Sequence, residues 1–346
     1  MPAGTEIYAL GAKSYFGFGK QTLIGTGVAA TKFQPVSFDA SLQEVFEPRI
    51  PTNNARKGRF YRTTTGGKIS VNGTVSGELT ADDIFCGIGW GALLGNNNSV
   101  TGAGTTGYVH VFNEPDDTDT AKQYSTVGAT LELLLGSDNN VNLIDFVGCF
   151  LNKLTLNIPT DGMVTFSSDW LGLKAETAGV ISTPTFATPG PFEGWMANFK
   201  IGAAIGSVAH YEINGDMSFS YDNKLKLSWG HDATQYAVSR TLGVPDIMLT
   251  TNTNLKQDLT LYGYYKSNAT KAVQLELTHT SLAGSSSGAY SIVIALPAVK
   301  FEAGAPVLNS ADELNQPLTM RAYYDSSAGY VCKVTVTNSE SGVYAV

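Results

Sequence analysis

The chain is poor in charge, in cysteine and in long apolar runs, and each shortage removes a class of function. Only 15% of its residues are charged, and they sum to a formal net charge of -8 at pH 7. Non-specific nucleic-acid binding depends on clustered Lys and Arg that release counterions from phosphates, so this acidic chain is not expected to hold nucleic acid. It leaves room for nucleic acid to pass without sticking. Cys86, Cys149 and Cys332 lie far apart with no C-x-x-C pair, and read as small buried hydrophobes rather than as a disulfide or metal set. No run approaches the roughly 18 apolar residues of a membrane-spanning helix. The start, Met1-Pro2-Ala3-Gly4, has neither the basic nor the apolar region of a secretory signal, so folding in a cytoplasm is expected.

Chemistry is scarce too. Gly102-Ala103-Gly104-Thr105-Thr106-Gly107 spells a dinucleotide fingerprint, but a strand is expected after it where that motif needs a helix N-terminus. Gly284-Ser285-Ser286-Ser287-Gly288 fits the nucleophile pattern, yet it joins two expected strands and offers no strand-to-helix elbow. His110, His210, His231 and His279 are isolated, without metal-ligand spacing. The acidic run near Asp116 lacks the ordered spacing of a calcium loop. No enzyme activity, cofactor or metal is expected.

What is present is a β composition. Apolar residues make up 43% of the 346, and 37 glycines accompany abundant Thr, Ser, Asn and Tyr, a mixture suited to strands and turns. Such a length predicts two domains. One plan also reads as written twice in order and spacing, though not in identity. The first copy has Val36-Ser37-Phe38-Asp39, then Lys68 to Val75, a helix from Asp82, and strands at 130–136, 144–158 and 163–168. The second has Met217-Ser218-Phe219-Ser220, then 246–250, a helix over 254–259, and strands at 273–280, 290–304, 318–324 and 330–337. Alternation is clearest at Ile69, Val71, Val75 and Leu79. The expected fold is mainly β: two tandem antiparallel β-sandwich or barrel domains, 1–185 and 186–346, each with one short helix. Residues 95–129 are an insertion with no counterpart, and Thr177 to Pro191 is the linker. Residues 1–35 are either an arm ordered on a neighbour or an edge strand.

Two charge clusters stand out. Arg49, Arg56, Lys57, Arg59 and Arg62 gather in one loop; Glu114, Asp116, Asp117 and Asp119 gather in another. They are either two solvated loops or complementary surfaces on neighbouring subunits, where opposite charges set register and steer association.

These features together resemble the major tail tube proteins of long-tailed (siphovirus-type) bacteriophages, in a two-domain form. The resemblance rests on Val36-Ser-Phe-Asp, the long loop before Arg62, Gly66-Gly-Lys-Ile-Ser-Val-Asn-Gly-Thr-Val, and the segment from Asp82. Its second part rests on Ile213 to Leu225, Leu261-Tyr262, Ala295-Leu-Pro-Ala-Val-Lys-Phe and Thr335-Val-Thr-Asn338. It covers roughly residues 20–340 and implies a virion structural protein. Single-domain relatives form hexameric rings, so a duplicated chain would reach the same pseudo-sixfold ring as a homotrimer, with rings stacked into a hollow conduit for DNA ejection. Tape-measure and tail terminator or tip proteins are implied partners, with assembly in the host cytoplasm and no membrane. Glu132 and Glu276, each in an L-E-L context, are candidates for the lumen, with an outer-face position the alternative. Two other classes compete: an outer-membrane β-barrel pore, and a glycan-binding β-sandwich. The latter calls for clustered exposed Trp, whereas Trp90, Trp170, Trp195 and Trp229 are scattered like core residues.

Overall fold

The computed structural model describes residues 14–21, 23–34, 38–49, 66–81, 88–94, 98–113, 128–134, 143–177, 184, 190–231, 234–255, 259–285, 288–307 and 314–341. It is mainly β. The chain opens with β1 (Tyr15–Lys20), β2 (Lys32–Gln34), β3 (Phe38–Ala40), β4 (Gln43–Phe46) and β5 (Ile69–Glu78). Helix α1 (Ile88–Leu94) is followed by β6 (Asn98–Ala103), β7 (Gly107–Asn113), β8 (Ala129–Leu134), β9 (Leu143–Ile158), β10 (Thr165–Gly172) and β11 (Lys174–Thr177). Next come β12 (Ala197–Gly202), β13 (Ala209–His210), β14 (Met217–Asp222), β15 (Lys226–Ser228), β16 (Ser239–Thr241) and β17 (Asp246–Asn254). Helix α2 (Thr260–Lys266) precedes β18 (Lys271–Leu282), β19 (Ala289–Ala303), β20 (Asn315–Tyr323) and β21 (Lys333–Asn338).

Two long strands organise everything else. The first half of β9 pairs with β8 on one side and β11 on the other, while its second half pairs with β10 and β14. Gly148 marks the change of partners, with a left-handed φ of 67° that glycine adopts without steric cost. In the second half of the chain β19 behaves alike: its first part pairs with β18 and β21, its last part with β20. Here Pro297 lies between the two pairings.

One sheet therefore runs through the chain in the order β3/β4–β5–β10–β9–β14–β17–β20–β19. Within it the first four positions and the last four follow the same rule. The first strand of a set pairs with its second, the second with its fourth, and the fourth with its third. The two sets meet at β9–β14. A second layer holds β2–β1–β8–β9–β11 and, beside the later strands, β13–β12–β18–β19–β21–β7–β6.

Alternating side chains from these layers form one core cluster that includes Trp90, Trp170, Phe166, Leu156, Phe219, Leu249 and Phe301. Helix α1 plugs it: Trp90 packs on Phe219 with ring centroids 6.2 Å apart. The buried Asn223 side chain donates to the carbonyls of Leu93 (3.0 Å) and Leu151 (3.3 Å), so α1 is tied to both sets of strands.

Several expectations are corrected. Residues 15–20 form a strand inside the subunit, between β2 and β8. The first helix spans Ile88–Leu94; the expected start at Asp82 to Phe85 lies outside the described residues. The second helix lies beyond the expected 254–259, because β17 continues to Asn254 opposite Asn315. Buried Thr251 and Thr253 keep that stretch extended, tertiary pairing overriding local propensity. Strand β21 starts at Lys333, since Asp325 to Tyr330 close a turn in which the Asp325 carboxylate accepts from Ser327 (2.7 Å) and Ala328 (2.9 Å). The insertion's strands β6 and β7 attach to β21 of the second half. Most of the expected linker lies outside the described residues.

Candidate assembly and lumen surface

The shared sheet carries its chemistry in cross-strand rows, because side chains alternate faces along a strand. One row, traced residue by residue across all eight positions, runs Phe38, Gly77, Phe166, Leu156, Phe219, Leu249, Met320, Phe301. From Phe166 to Phe301 every member is buried. It is the sheet's core face.

The neighbouring row belongs to the opposite face and is polar but for Met248: Ser76, Ser167, Thr155, Ser220, Met248, Arg321, Lys300. A second polar row crosses Thr165, Asn157, Ser218, Thr250 and Thr319. It floors a hollow of about 600 Å³ walled by Pro159, Met163, Asp216 and Pro317. There Asp216 accepts from the Thr160 amide (2.7 Å) and hydroxyl (3.0 Å).

Charges collect in a third row, Thr74, Asp169, Lys153, Asp222, Asp246. Partial burial raises the Asp169 carboxyl above its ordinary range, Lys153 opposing and Asp222 reinforcing this. Burial pushes Asp246 the same way, but hydrogen bonds and charge from Arg321 and Lys224 outweigh it and hold that carboxyl below its ordinary range. Arg321 bonds both Glu302 and Asp246, which raises its own pKa. Lys153 thus lies between two aspartates, and Arg321 is held by two carboxylates. Hydroxyls and amides dominate the face, and two of its cations, Lys153 and Arg321, are set among carboxylates. That is a poor template for holding a phosphate backbone, which requires uncompensated Lys and Arg.

The residues singled out from sequence are spread otherwise. Glu132 on β8 and Glu276 on β18 do occupy like places, each on the strand that flanks the first half of β9 or β19. Both belong to the second layer, not to the shared sheet. Glu132 is only 1% exposed and accepts hydrogen bonds from the Tyr15 hydroxyl and the Ala30 amide. Strands β1 and β2 cover it, which no local sequence signal announces. Glu276 is half-buried and paired with Lys200. Arg49 is exposed beside the end of β4. Arg56, Lys57, Arg59, Arg62, Glu114, Asp116, Asp117 and Asp119 lie outside the described residues. Sequence reading missed the serine and threonine rows, because single hydroxyl residues in alternating strands carry no motif; only register aligns them.

The motif look-alikes have structural roles where they are described. Gly102 to Gly107 forms the β6–β7 hairpin turn, closed by the Thr106 amide on Ala103 O (2.9 Å). No helix begins there. Ser286 lies outside the described residues. His110 is buried and bonds the Glu340 carbonyl (2.9 Å); His210 bonds Asn198 (2.6 Å), and His279 accepts from the Ser281 amide (2.9 Å). Cys149 and Cys332 are buried, and neither is in a disulfide among the described residues; burial pushes the Cys149 thiol above its ordinary range. Among the described residues no group of His, Cys, Asp and Glu is arranged to hold a metal, and no helix is long and apolar enough to cross a membrane. Trp90 and Trp170 are core residues, but Trp195 is 64% exposed, against the expectation for it.

The structure is that of a β-rich protein in which one extended sheet backs a polar face with a buried core. The sequence matches the family described as phage tail tube protein over residues 11–322, and the chain belongs to that family. It is a structural protein of the phage tail, a virion component that assembles with itself into a tube. Comparison with curated proteins finds no match.

Proposed function

We propose that three copies of the chain close into a ring of pseudo-sixfold symmetry, that rings stack into a hollow tube, and that the polar face of the shared sheet lines the conduit through which DNA leaves. The observation that carries this reading is the repeated strand order. The chain presents the same four-strand set twice, already joined side by side at β9–β14. Two sets per chain are two tandem units, divided near residue 185. Among the described residues the sheet ends without a further strand at β3/β4 and along Lys300 to Ala303 of β19, a liability that ring closure removes.

The lumen assignment follows from the faces. One side of the shared sheet is core; the other offers Ser167, Thr155, Ser220 and their polar neighbours. Carboxylates there repel a passing backbone over about a Debye length, near 8 Å at physiological salt, while cations tied to carboxylates give it no lasting hold. On this reading Glu132 and Glu276, in the second layer, stand away from the lumen wall. The loops bearing Arg49 to Arg62 and Glu114 to Asp119 meet between stacked rings, where opposite charge sets register. A head-to-tail contact of this kind does not close and so yields a tube. Tape-measure and terminator or tip proteins occupy the interior and the ends, and assembly takes place in the host cytoplasm, as in the siphovirus-type tails that the sequence resembles.

The test is the mass of the smallest closed assembly. Rings stabilised by amine cross-linking and weighed by native mass spectrometry are expected to contain three chains. Six-chain rings would refute the pseudo-sixfold reading while leaving the family membership intact.

A further inference from the structure

Asparagine is followed directly by glycine at two places, Asn72-Gly73 and Asn214-Gly215. Asparagine is a labile residue. It is most labile before glycine, which has no Cβ to shield the next backbone nitrogen or to restrict its rotation. That nitrogen must reach the asparagine Cγ, so the local fold decides which pair reacts.

Both asparagines are exposed, so access does not separate them; the backbone does. Asn72 and Gly73 lie inside β5, Asn72 opposite both Gln43 of β4 and Leu171 of β10, and Gly73 opposite Trp170. Turning that backbone requires the ladder to open first, and openings of paired central strands are rare. Asn214 and Gly215 instead lie in the irregular segment before β14. The Asn214 backbone amide makes a long contact with the Thr253 hydroxyl (3.4 Å). Among the described residues no hydrogen bond holds the Asn214 side chain or the Gly215 N–H.

We infer that Asn214 is a site of spontaneous self-modification, converting to isoaspartate and aspartate while Asn72 stays intact. The Gly215 nitrogen adds to Cγ of Asn214, and the bond from Cγ to Nδ2 breaks. Nδ2 leaves as ammonia, taking the proton that the Gly215 nitrogen gives up. Water then opens the resulting cyclic imide at either carbonyl and restores a carboxylate. Water is the sole co-reactant, and the inference concerns the single chain, independent of the ring reading.

The surroundings make the product consequential. Isoaspartate lengthens the main chain by one carbon just before Gly215. The backbone there lies directly on β17, since a Cβ on Gly215 would overlap the Asn252 carbonyl oxygen. The next residue, Asp216, holds the β9–β10 turn through the Thr160 amide (2.7 Å) and hydroxyl (3.0 Å) and walls the hollow at the end of the polar face. A longer chain cannot keep both contacts, so isoaspartate frees Asp216 from Thr160. Plain aspartate adds charge without length and keeps them.

The test holds the full chain for several weeks at mildly alkaline pH and body temperature, beside the same chain in urea. Peptide mass mapping follows the change from amide to acid, and isoaspartyl methyltransferase labelling locates isoaspartate. In the folded chain the peptide carrying Asn214 should convert at least about tenfold faster than that carrying Asn72, whose ladder protects it. In urea the two should convert at similar rates, and Asn214→Ser should abolish the labelled product near 214. Equal rates in the folded chain, or no conversion at Asn214 while the unfolded chain converts, would overturn the site. The consequence is read separately by thermal unfolding. The isoaspartate fraction, isolated by ion exchange, is expected to melt below the fresh protein, and Asn214→Asp to melt with it. An isoaspartate fraction with the midpoint of fresh protein would overturn the release of Asp216.

Discussion

Leu156 and Phe219 stand directly opposite each other across the β9–β14 seam, both fully buried, one contributed by each set of strands. Through this pair two like four-strand sets become one continuous sheet. Trp90 on α1 packs against Phe219 from the core side. The seam is therefore a packed joint as well as a hydrogen-bonded one, and it fixes the spacing of the two sets.

Truncation at the seam should show this. Phe219→Ala is expected to cost about 3–5 kcal/mol, the lost transfer energy together with the cavity left beneath Trp90. Ser220→Ala, the next residue but on the polar face, should stay within about 0.5 kcal/mol. Urea unfolding of both variants reads the difference. Equal costs would mean that the seam is not a core element.

Gly148 allows β9 to leave one sheet and enter the other. Its φ of 67° is left-handed, and a Cβ there would fall 2.6 Å from two carbons of Leu173. Gly148→Ala should cost at least about 1–3 kcal/mol from backbone strain alone. Gly206→Ala, at a site where a Cβ meets nothing within 4 Å, should leave the thermal midpoint nearly unchanged. Differential scanning fluorimetry distinguishes the two.

Asp145 sets a pH dependence. It lies opposite Glu132 on β8 and Glu176 on β11; Glu176 is paired with Lys174, and Glu132 receives the Tyr15 hydroxyl. Burial first, then repulsion from Glu132 and Glu176, raises the Asp145 carboxyl from 3.8 to about 7. The folded chain then keeps a proton that the unfolded chain has lost. The benefit of that proton is lost as pH rises from about 4 through 7, so this group makes the fold weaker at pH 8 than at pH 5. Asp145→Asn should shrink the pH 5 to pH 8 stability difference by about 1–2 kcal/mol, a figure lowered because solvent reaches the site. A difference that survives unchanged in denaturant titrations would assign it to other groups.

The lumen reading predicts a gain of function. Thr155→Lys together with Ser220→Lys would put uncompensated cations on the face assigned to the conduit. Tubes of this variant should retain double-stranded DNA at about 50 mM salt and release it by about 200 mM, with the steep salt dependence of phosphate neutralisation. Wild-type tubes should retain none, as read by co-sedimentation. Equal retention by both would remove that face from the lumen.

Much of this was legible in the sequence, and the omissions have physical causes. Alternation at Ile69, Val71 and Val75, and from Lys333 to Thr337, marks strands directly, since side chains of period two must segregate when one face is buried. The equivalence of Glu132 and Glu276 was readable from their like surroundings. Their layer was not, because strands of both layers alternate alike and only pairing tells them apart. The helix expected at 254–259 failed where β20 holds Asn254 in a ladder, a partner more than 60 residues away in the chain. The polar rows fall in the same class. Thr155, Ser220 and Arg321 fall in one row only once register is fixed across four strands.

Electron cryo-microscopy of tubes grown from the purified full chain, with helical reconstruction to strand resolution, would show directly how the sheets are arranged around the lumen. The predicted result is a wall of three chains per ring in which the β9–β14 seam alternates with a joint between the sheet ends of neighbouring chains, with Ser167, Thr155 and Ser220 facing the lumen. A ring of six chains, or a lumen lined by β8 and β18, would contradict it.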